Sequence, residues 1–169
     1  YQHLLERALR RVRGEPVAPD WSPDLRLGVG LAVPEAYVPE PEVRLELYDR
    51  LGRLASLATI DDFREEIADR FGPLPEPVEQ LLAVAALRLR CRGLGIAKLE
   101  VGSKAAAVTF HPDAYADDAG RKHLARLGGT AGDDLRWTGE RLILARETAT
   151  ADERLHLAGT LLDQLEAAA

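Results

Sequence analysis

The chain has 169 residues, enough for one domain of ordinary size with a buried core and too few for two. Apolar residues make up 46% and charged residues 30%, which excludes wholesale disorder, and the net charge of −6 argues against a general nucleic-acid-binding surface because phosphates are neutralised by basic groups. The single cysteine, Cys91, excludes an internal disulfide and any multi-cysteine metal site, and with no apolar run of about 18 residues the expected location is the cytoplasm, away from membranes.

The N-terminal quarter combines a helical pattern with a proline-rich stretch. Apolar residues at every third or fourth position predict that residues 1–14 form a helix connecting to a preceding domain, and since the chain contains no methionine we expect it to be part of a longer polypeptide. Residues 15–41 hold six of the ten prolines, which predicts an extended strap with a short edge strand at about 24–30. Trp21 and Tyr37 are expected to hold this strap against the body of the protein.

Three helices are predicted next. The first covers about 42–57, where a proline-led start is followed by a leucine stripe. The second covers 61–71 and begins with a capping box formed by Thr59 and Asp62. The third covers 75–93 and ends at a pair of glycines. The second helix is expected to bury one apolar stripe, formed by Ile60, Phe63, Ile67 and Phe71.

After these helices the spacing of the apolar residues changes from about 3.6 residues to 2 residues, which predicts strands. Residues 15–169 are therefore interpreted as a single α+β domain, because helices and antiparallel hairpins fall in separate blocks. Its second half is predicted to contain a hairpin over 99–110, a helix capped by Asp117 or Asp118 and broken at Gly128-Gly129, a hairpin over 135–144, and a C-terminal helix with a capping box of Thr150 and Glu153.

The sequence lacks the motifs that would indicate catalysis. It contains no G-x-x-x-x-G-K-[ST] phosphate loop and no G-x-S-x-G nucleophile turn, so we expect no enzymatic activity. Its four histidines lack the spacing of a metal site, and Cys91 is expected to be a core residue. A small hydrolase is a further alternative that would require His111, His123, Asp117 and Asp118 to share a cleft.

Four carboxylates stand out on the second of the predicted helices. They are Asp62, Glu65, Glu66 and Asp69, whose i, i+3, i+4, i+7 spacing predicts one continuous stripe opposite the buried apolar one. Like charges four residues apart destabilise an isolated helix by about 0.2–0.5 kcal/mol each. Two interpretations remain open from the residues alone: a solvated polar face, or a docking surface for a basic partner.

A basic cluster supports an alternative class of function. Arg88 and Arg92 share one face of the third predicted helix at i, i+4, and Lys98 follows just beyond its end. These residues predict an accessory domain that contacts nucleic acid. No aromatic residue is interleaved for base stacking, which favours a solvated or intramolecular role instead.

Four segments carry a likeness to a known family: VPEAYVP at 33–39, VRLELYDRL at 43–51, EIADRFGPLP at 66–75 and LGIAKL at 94–99. Together they resemble the C-terminal domain of the bacterial transcription-repair coupling factor. The likeness covers nearly the whole chain and becomes less diagnostic from residue 113 onward.

The resemblance implies a regulatory role. The family's parent protein is an ATP-driven DNA translocase that displaces stalled RNA polymerase and recruits the excision-repair protein UvrA, and its ATP and magnesium belong to motor domains whose motifs this chain lacks. The C-terminal domain is implied to be non-catalytic and autoinhibitory, packing on an N-terminal module similar to UvrB and covering the surface that binds UvrA. Carried over by position, Glu66 and Asp69 are the interdomain carboxylates, which favours docking over solvation for the acidic stripe.

Overall fold

The computed structural model describes residues 2–13, 21–130 and 134–168, and shows helices packed against a five-stranded sheet. The predicted α+β class is confirmed. Its elements are α1 (Gln2–Val12), β1 (Asp24–Arg26), α2 (Pro41–Arg53), α3 (Leu57–Phe71), α4 (Glu76–Gly93), β2 (Ile96–Val101), β3 (Ala105–Phe110), a 3₁₀ turn (Pro112–Tyr115), α5 (Asp118–Thr130), β4 (Leu135–Thr138), β5 (Arg141–Ala145) and α6 (Ala151–Ala167).

The sheet has the strand order β1-β2-β3-β5-β4. Both predicted hairpins are confirmed, because β2 pairs antiparallel with β3 and β4 pairs antiparallel with β5, while β3 joins the two hairpins by pairing with β5. The predicted edge strand of the strap is also present as β1, which runs parallel to β2. It is shorter than expected, and Gly28 follows it with a φ of +64° that a strand cannot adopt.

Two hydrophobic cores share helix α4. The sheet core lies between the sheet and helices α4, α5 and α6, and includes Leu99, Val108, Leu142 and Leu161. The helical core lies between the strap, α2, α3 and the first half of α4, and includes Val38, Leu47, Phe63 and Ile67. Because α4 contributes Val78, Leu82 and Ala85 to the helical core and Leu87 and Cys91 to the sheet core, it joins the two halves.

The boundaries of α2 and α3 differ from the prediction. Helix α2 ends at Arg53, because Leu54 is already extended. Helix α3 begins at Leu57 with a capping box made by Ser56 and Thr59, in place of the predicted one from Thr59 and Asp62. Leu57 lies four residues before the predicted start of this helix at residue 61, so α3 is about one turn longer than expected. Asp62 therefore lies in its second turn, away from the helix N-terminus.

The later helices follow their predicted caps. Asp117 accepts a hydrogen bond from the backbone N–H of Gly120 at 2.7 Å, and Thr150 accepts one from that of Glu153 at 3.1 Å. The break predicted at Gly128-Gly129 is wrong, because α5 continues to Thr130. Gly128 instead allows the ring of Trp137 to pack closely against α5. A side chain at this position would clash, because its Cβ would lie 2.6 Å from Cδ1 of Trp137.

The strap is held by its aromatic residues, as predicted. The Tyr37 hydroxyl donates to the carbonyl of Gly72 at 2.7 Å, beyond the end of α3, and its ring packs at a tilt against Phe71. Trp21 stacks on His111 with ring centroids 4.4 Å apart. These contacts fix the strap to both halves of the protein.

Two parts of the N-terminal prediction have different outcomes. The helix is confirmed as α1, and its apolar residues Leu4, Leu5, Leu9 and Val12 are exposed. Residue 14 and the first part of the strap, 15–20, lie outside the described residues. The connecting role of residues 1–14 stays a prediction.

Candidate docking face

Helix α3 presents one apolar face to the helical core. Ile60, Phe63 and Ile67 are 4%, 3% and 1% exposed, respectively. Since successive helical residues are about 100° apart, the positions opposite these three point away from the protein. The predicted fourth member of the buried stripe, Phe71, is only half-buried because it lies at the last residue of the helix.

The outer face of α3 is acidic. It carries Asp61, Asp62, Glu65 and Asp69, all four of them exposed. Within the described part of the chain, none of these carboxylates forms an ion pair or a side-chain hydrogen bond. We refer to these four residues as the acidic outer face. It contains three of the four carboxylates predicted as a docking stripe, together with Asp61.

Glu66, the remaining member of the predicted stripe, is not free. It faces α2, where the guanidinium of Arg50 binds its carboxylate through two hydrogen bonds, one of them 2.8 Å long. Arg70 lies 3.9 Å from the same carboxylate. The expectation that Glu66 projects outward as an unpaired docking group is therefore wrong: it is neutralised by arginines of its own domain.

The pair between Arg50 and Glu66 is a structural tie. The hydrogen bond from Arg50 lowers the pKa of Glu66 below its ordinary value, and the same bond raises the pKa of Arg50. The Arg50 guanidinium also lies over the ring of Phe63, 4.9 Å from its centroid. Since Glu66 is 43% exposed, the tie contributes little stability by charge alone, but it fixes α2 against α3 in one orientation.

The opposite flank of α3 is tied to α4. Arg64 forms an ion pair with Glu79 of that helix. Tyr37 completes the support at the C-terminal end, where its hydroxyl reaches the carbonyls of Ile67 and Gly72. With both flanks, the inner face and the end of α3 held, the acidic outer face is presented by a helix that has little freedom to rotate.

The basic residues predicted as an alternative nucleic-acid site do not form one patch. Arg88 and Arg92 lie on α4, which packs on the core side of the sheet. Lys98 precedes the buried Leu99 on β2, so alternation places it on the other side of the sheet, where it pairs with Glu100 at 3.2 Å. The sheet therefore separates Lys98 from the two arginines.

Three of the four residues considered for a hydrolase have separate local roles. His111 stacks on Trp21 and accepts a hydrogen bond from the backbone N–H of Asp113, Asp117 caps α5, and Asp118 pairs with Arg121. Across the described ranges, no three histidine, cysteine or acidic side chains are grouped so as to hold a metal ion. Nor does any helix described here combine the length and apolar character needed to cross a bilayer.

Cys91 is a core residue, as predicted. It is fully buried in the sheet core, and burial raises the pKa of its thiol to about 12 even though Arg90 and Arg88 act in the opposite direction. A thiol with this pKa stays protonated and unreactive near neutral pH.

Comparison with known proteins decides the family. The family model described as the TRCF domain matches residues 27–120, which is more than half of the chain. The chain belongs to the TRCF domain family. The matched segment contains the strap from Leu27 onward, α2, α3, α4 and the first hairpin, so it includes the acidic outer face and the contacts that support it.

Curated relatives and a solved structure agree with this family. The chain is 29% identical over 128 residues to the transcription-repair-coupling factor of Rickettsia prowazekii, covering 75% of the chain and 11% of that protein. It is 41% identical over 93 residues to the factor of Mycobacterium bovis, covering 55% of the chain and 8% of that protein. The crystal structure of the C-terminal domain of a transcription-repair coupling factor has the same fold, with a TM-score of 0.63 at 17% identity over 87% of this chain and 95% of that one. The chain thus spans about a tenth of the length of its curated relatives.

Proposed function

We propose that this chain is a non-catalytic regulatory domain that docks within a transcription-repair coupling factor. In this proposal the acidic outer face lies against a basic surface of the parent's N-terminal UvrB-like module and masks the surface that binds UvrA. The ATP-driven movement of DNA and the displacement of RNA polymerase belong to other domains of the parent.

One observation carries the proposal: four carboxylates share the outward face of a firmly held helix, and none of them pairs with another described residue. By contrast, the arginines on either side of this face are engaged in pairs with Glu66 and Glu79. Because the domain leaves the charge of this face uncompensated, an external cationic surface is the complementary partner.

The expected strength of docking suits a reversible contact. Ion pairs between exposed side chains contribute about 0.2–1 kcal/mol each. A handful of such pairs gives a contact that a competing conformation of the parent can displace, since a ligand shifts an equilibrium only by its differential affinity for the two states. A deeply apolar interface would not release as readily.

Removing charge from the acidic outer face is expected to relieve autoinhibition. In the full-length parent, the triple variant Asp62→Asn, Glu65→Gln, Asp69→Asn should bind UvrA about 3-fold to 150-fold more tightly in the absence of DNA and ATP, because three ion pairs of about 0.2–1 kcal/mol each are lost. Calorimetry or anisotropy with purified UvrA measures this change.

A matched control removes the same amount of charge elsewhere. The triple variant Glu40→Gln, Glu42→Gln, Glu147→Gln changes three exposed carboxylates outside α3 and should leave UvrA binding unchanged. Equal UvrA affinity in both variants and the parent protein, with circular dichroism showing an intact fold, would remove the docking role of this face.

A further inference from the structure

A cavity with aromatic walls lies at the end of the sheet, away from the acidic outer face. It has a volume of about 240 Å³ and lies between the 3₁₀ turn, α5, the end of β3 and the turn that joins β4 to β5. This volume is below the ~300–1,000 Å³ of sites that hold drug-sized ligands or cofactors, so it suits a single side chain. Its lining residues are Thr109, Phe110, Tyr115, Leu124, Trp137 and Glu140.

The cavity concentrates aromatic residues in a chain that has few. Only 5% of the residues are aromatic, yet one phenylalanine, one tyrosine and one tryptophan meet here. Phe110 and Trp137 are tilted at 43° to each other with ring centroids 6.1 Å apart. Trp137 is also held against α5 at Gly128, so its position in the wall is fixed.

A carboxylate accompanies these rings. Glu140 lines the cavity from the β4–β5 turn, is exposed, and has no side-chain hydrogen bond or ion pair with any described residue. Tyr115 is 41% exposed, which is unusual for a large aromatic side chain that packs in a core. Aromatic faces attract cations through their quadrupoles, and a carboxylate beside them adds a charged partner for the same ion.

We propose that this cavity is a binding site for the guanidinium group of an arginine side chain presented by a partner polypeptide. Guanidinium is planar and weakly hydrated, so it stacks well on aromatic rings. At the same time its N–H groups can donate a pair of hydrogen bonds to a carboxylate. Phe110, Tyr115 and Trp137 supply the rings, and Glu140 supplies the counter-charge.

The chain's own neighbouring arginines are engaged elsewhere. Arg121 of α5 pairs with Asp118 and donates to the carbonyl of Tyr115, while Arg141, next to Glu140 in sequence, lies 3.6 Å from Glu100 on the sheet. Neither of them lines the cavity. These two neighbouring arginines therefore leave the cavity open to an arginine presented from outside this domain.

Tryptophan fluorescence tests this site. In a Trp21→Phe background, Trp137 is the only remaining tryptophan, and its emission reports on the cavity. Titration with N-acetyl-arginine amide should change this emission saturably, with a dissociation constant on the order of 1 mM for an isolated side-chain probe. N-acetyl-citrulline amide, which has nearly the same shape without the charge, should produce no saturable change.

Two variants at exposed positions identify the groups involved. Glu140→Gln and Tyr115→Ala should each weaken binding of the arginine probe at least 3-fold, whereas the matched control Glu147→Gln should leave it unchanged. Circular dichroism checks that each variant is folded. An equal response to both probes, the absence of saturable binding, or unaltered affinity in both Glu140→Gln and Tyr115→Ala would overturn the proposal. None of these results bears on UvrA masking, because α3 does not line this cavity.

Discussion

Replacing Phe63 with alanine is expected to lower the free energy of unfolding by about 3–5 kcal/mol. Phe63 is 3% exposed on the inner face of α3, directly beneath the acidic outer face, and its ring also carries the guanidinium of Arg50. Alanine would leave a cavity in the helical core and remove this stacking contact. Urea denaturation followed by circular dichroism measures the change.

The control for this substitution lies on the same helix. Leu57 is 54% exposed, so Leu57→Ala should change the free energy of unfolding by less than about 0.5 kcal/mol. A loss below about 1 kcal/mol for Phe63→Ala would contradict the placement of Phe63 in the core and with it the outward direction of the acidic residues.

The second large effect is expected in the sheet core. Leu161 of α6 is fully buried, so Leu161→Ala should cost about 2–5 kcal/mol, whereas Leu45→Ala on α2, at a position 69% exposed, should be nearly neutral. Since α4 contributes to both cores, unfolding should remain one transition, seen at the same urea concentration by circular dichroism and by tryptophan fluorescence. Separate midpoints for the two probes would show that the cores unfold independently.

Much of the fold could be predicted because its signals are local. Apolar residues that recur about every 3.6 residues predicted the helices, and apolar residues that recur every second residue predicted the hairpins. Pro and Gly residues marked most of the ends of these elements. Helix boundaries were less predictable where two capping patterns compete. Both Ser56/Thr59 and Thr59/Asp62 have the spacing of a capping box, and only the first one forms.

The order of the strands could not be predicted, because pairing depends on contacts between distant segments. Each hairpin follows from its own turn, but the pairing of β3 with β5 and the parallel pairing of β1 with β2 join residues far apart in sequence. The long excursion of the chain through α2, α3 and α4 separates β1 from its neighbour β2, and local patterns carry no signal for that contact.

The candidate site shows the same limit at a single residue. Spacing alone places Glu66 in one stripe with Asp62 and Asp69, since all three lie on neighbouring positions of the helix surface. In the structure these three residues differ in their contact with α2. Arg50 of that helix binds Glu66 and neither Asp62 nor Asp69. A contact supplied by a neighbouring helix thus decides which carboxylates remain available to a partner.

The most direct test of docking is a calorimetric titration of this chain against the N-terminal UvrB-like module of the same parent, at about 0.1 M and about 1 M salt. Between these conditions the Debye length falls from about 10 Å to about 3 Å, which screens exposed ion pairs. We expect saturable binding at low salt that weakens at least about 3-fold at high salt, because three ion pairs of about 0.2–1 kcal/mol each are screened. The variant Asp62→Asn, Glu65→Gln, Asp69→Asn should weaken binding to a similar extent at low salt. No binding at low salt, or binding that neither salt nor this variant weakens, would contradict the proposal that the acidic outer face holds the domain in place.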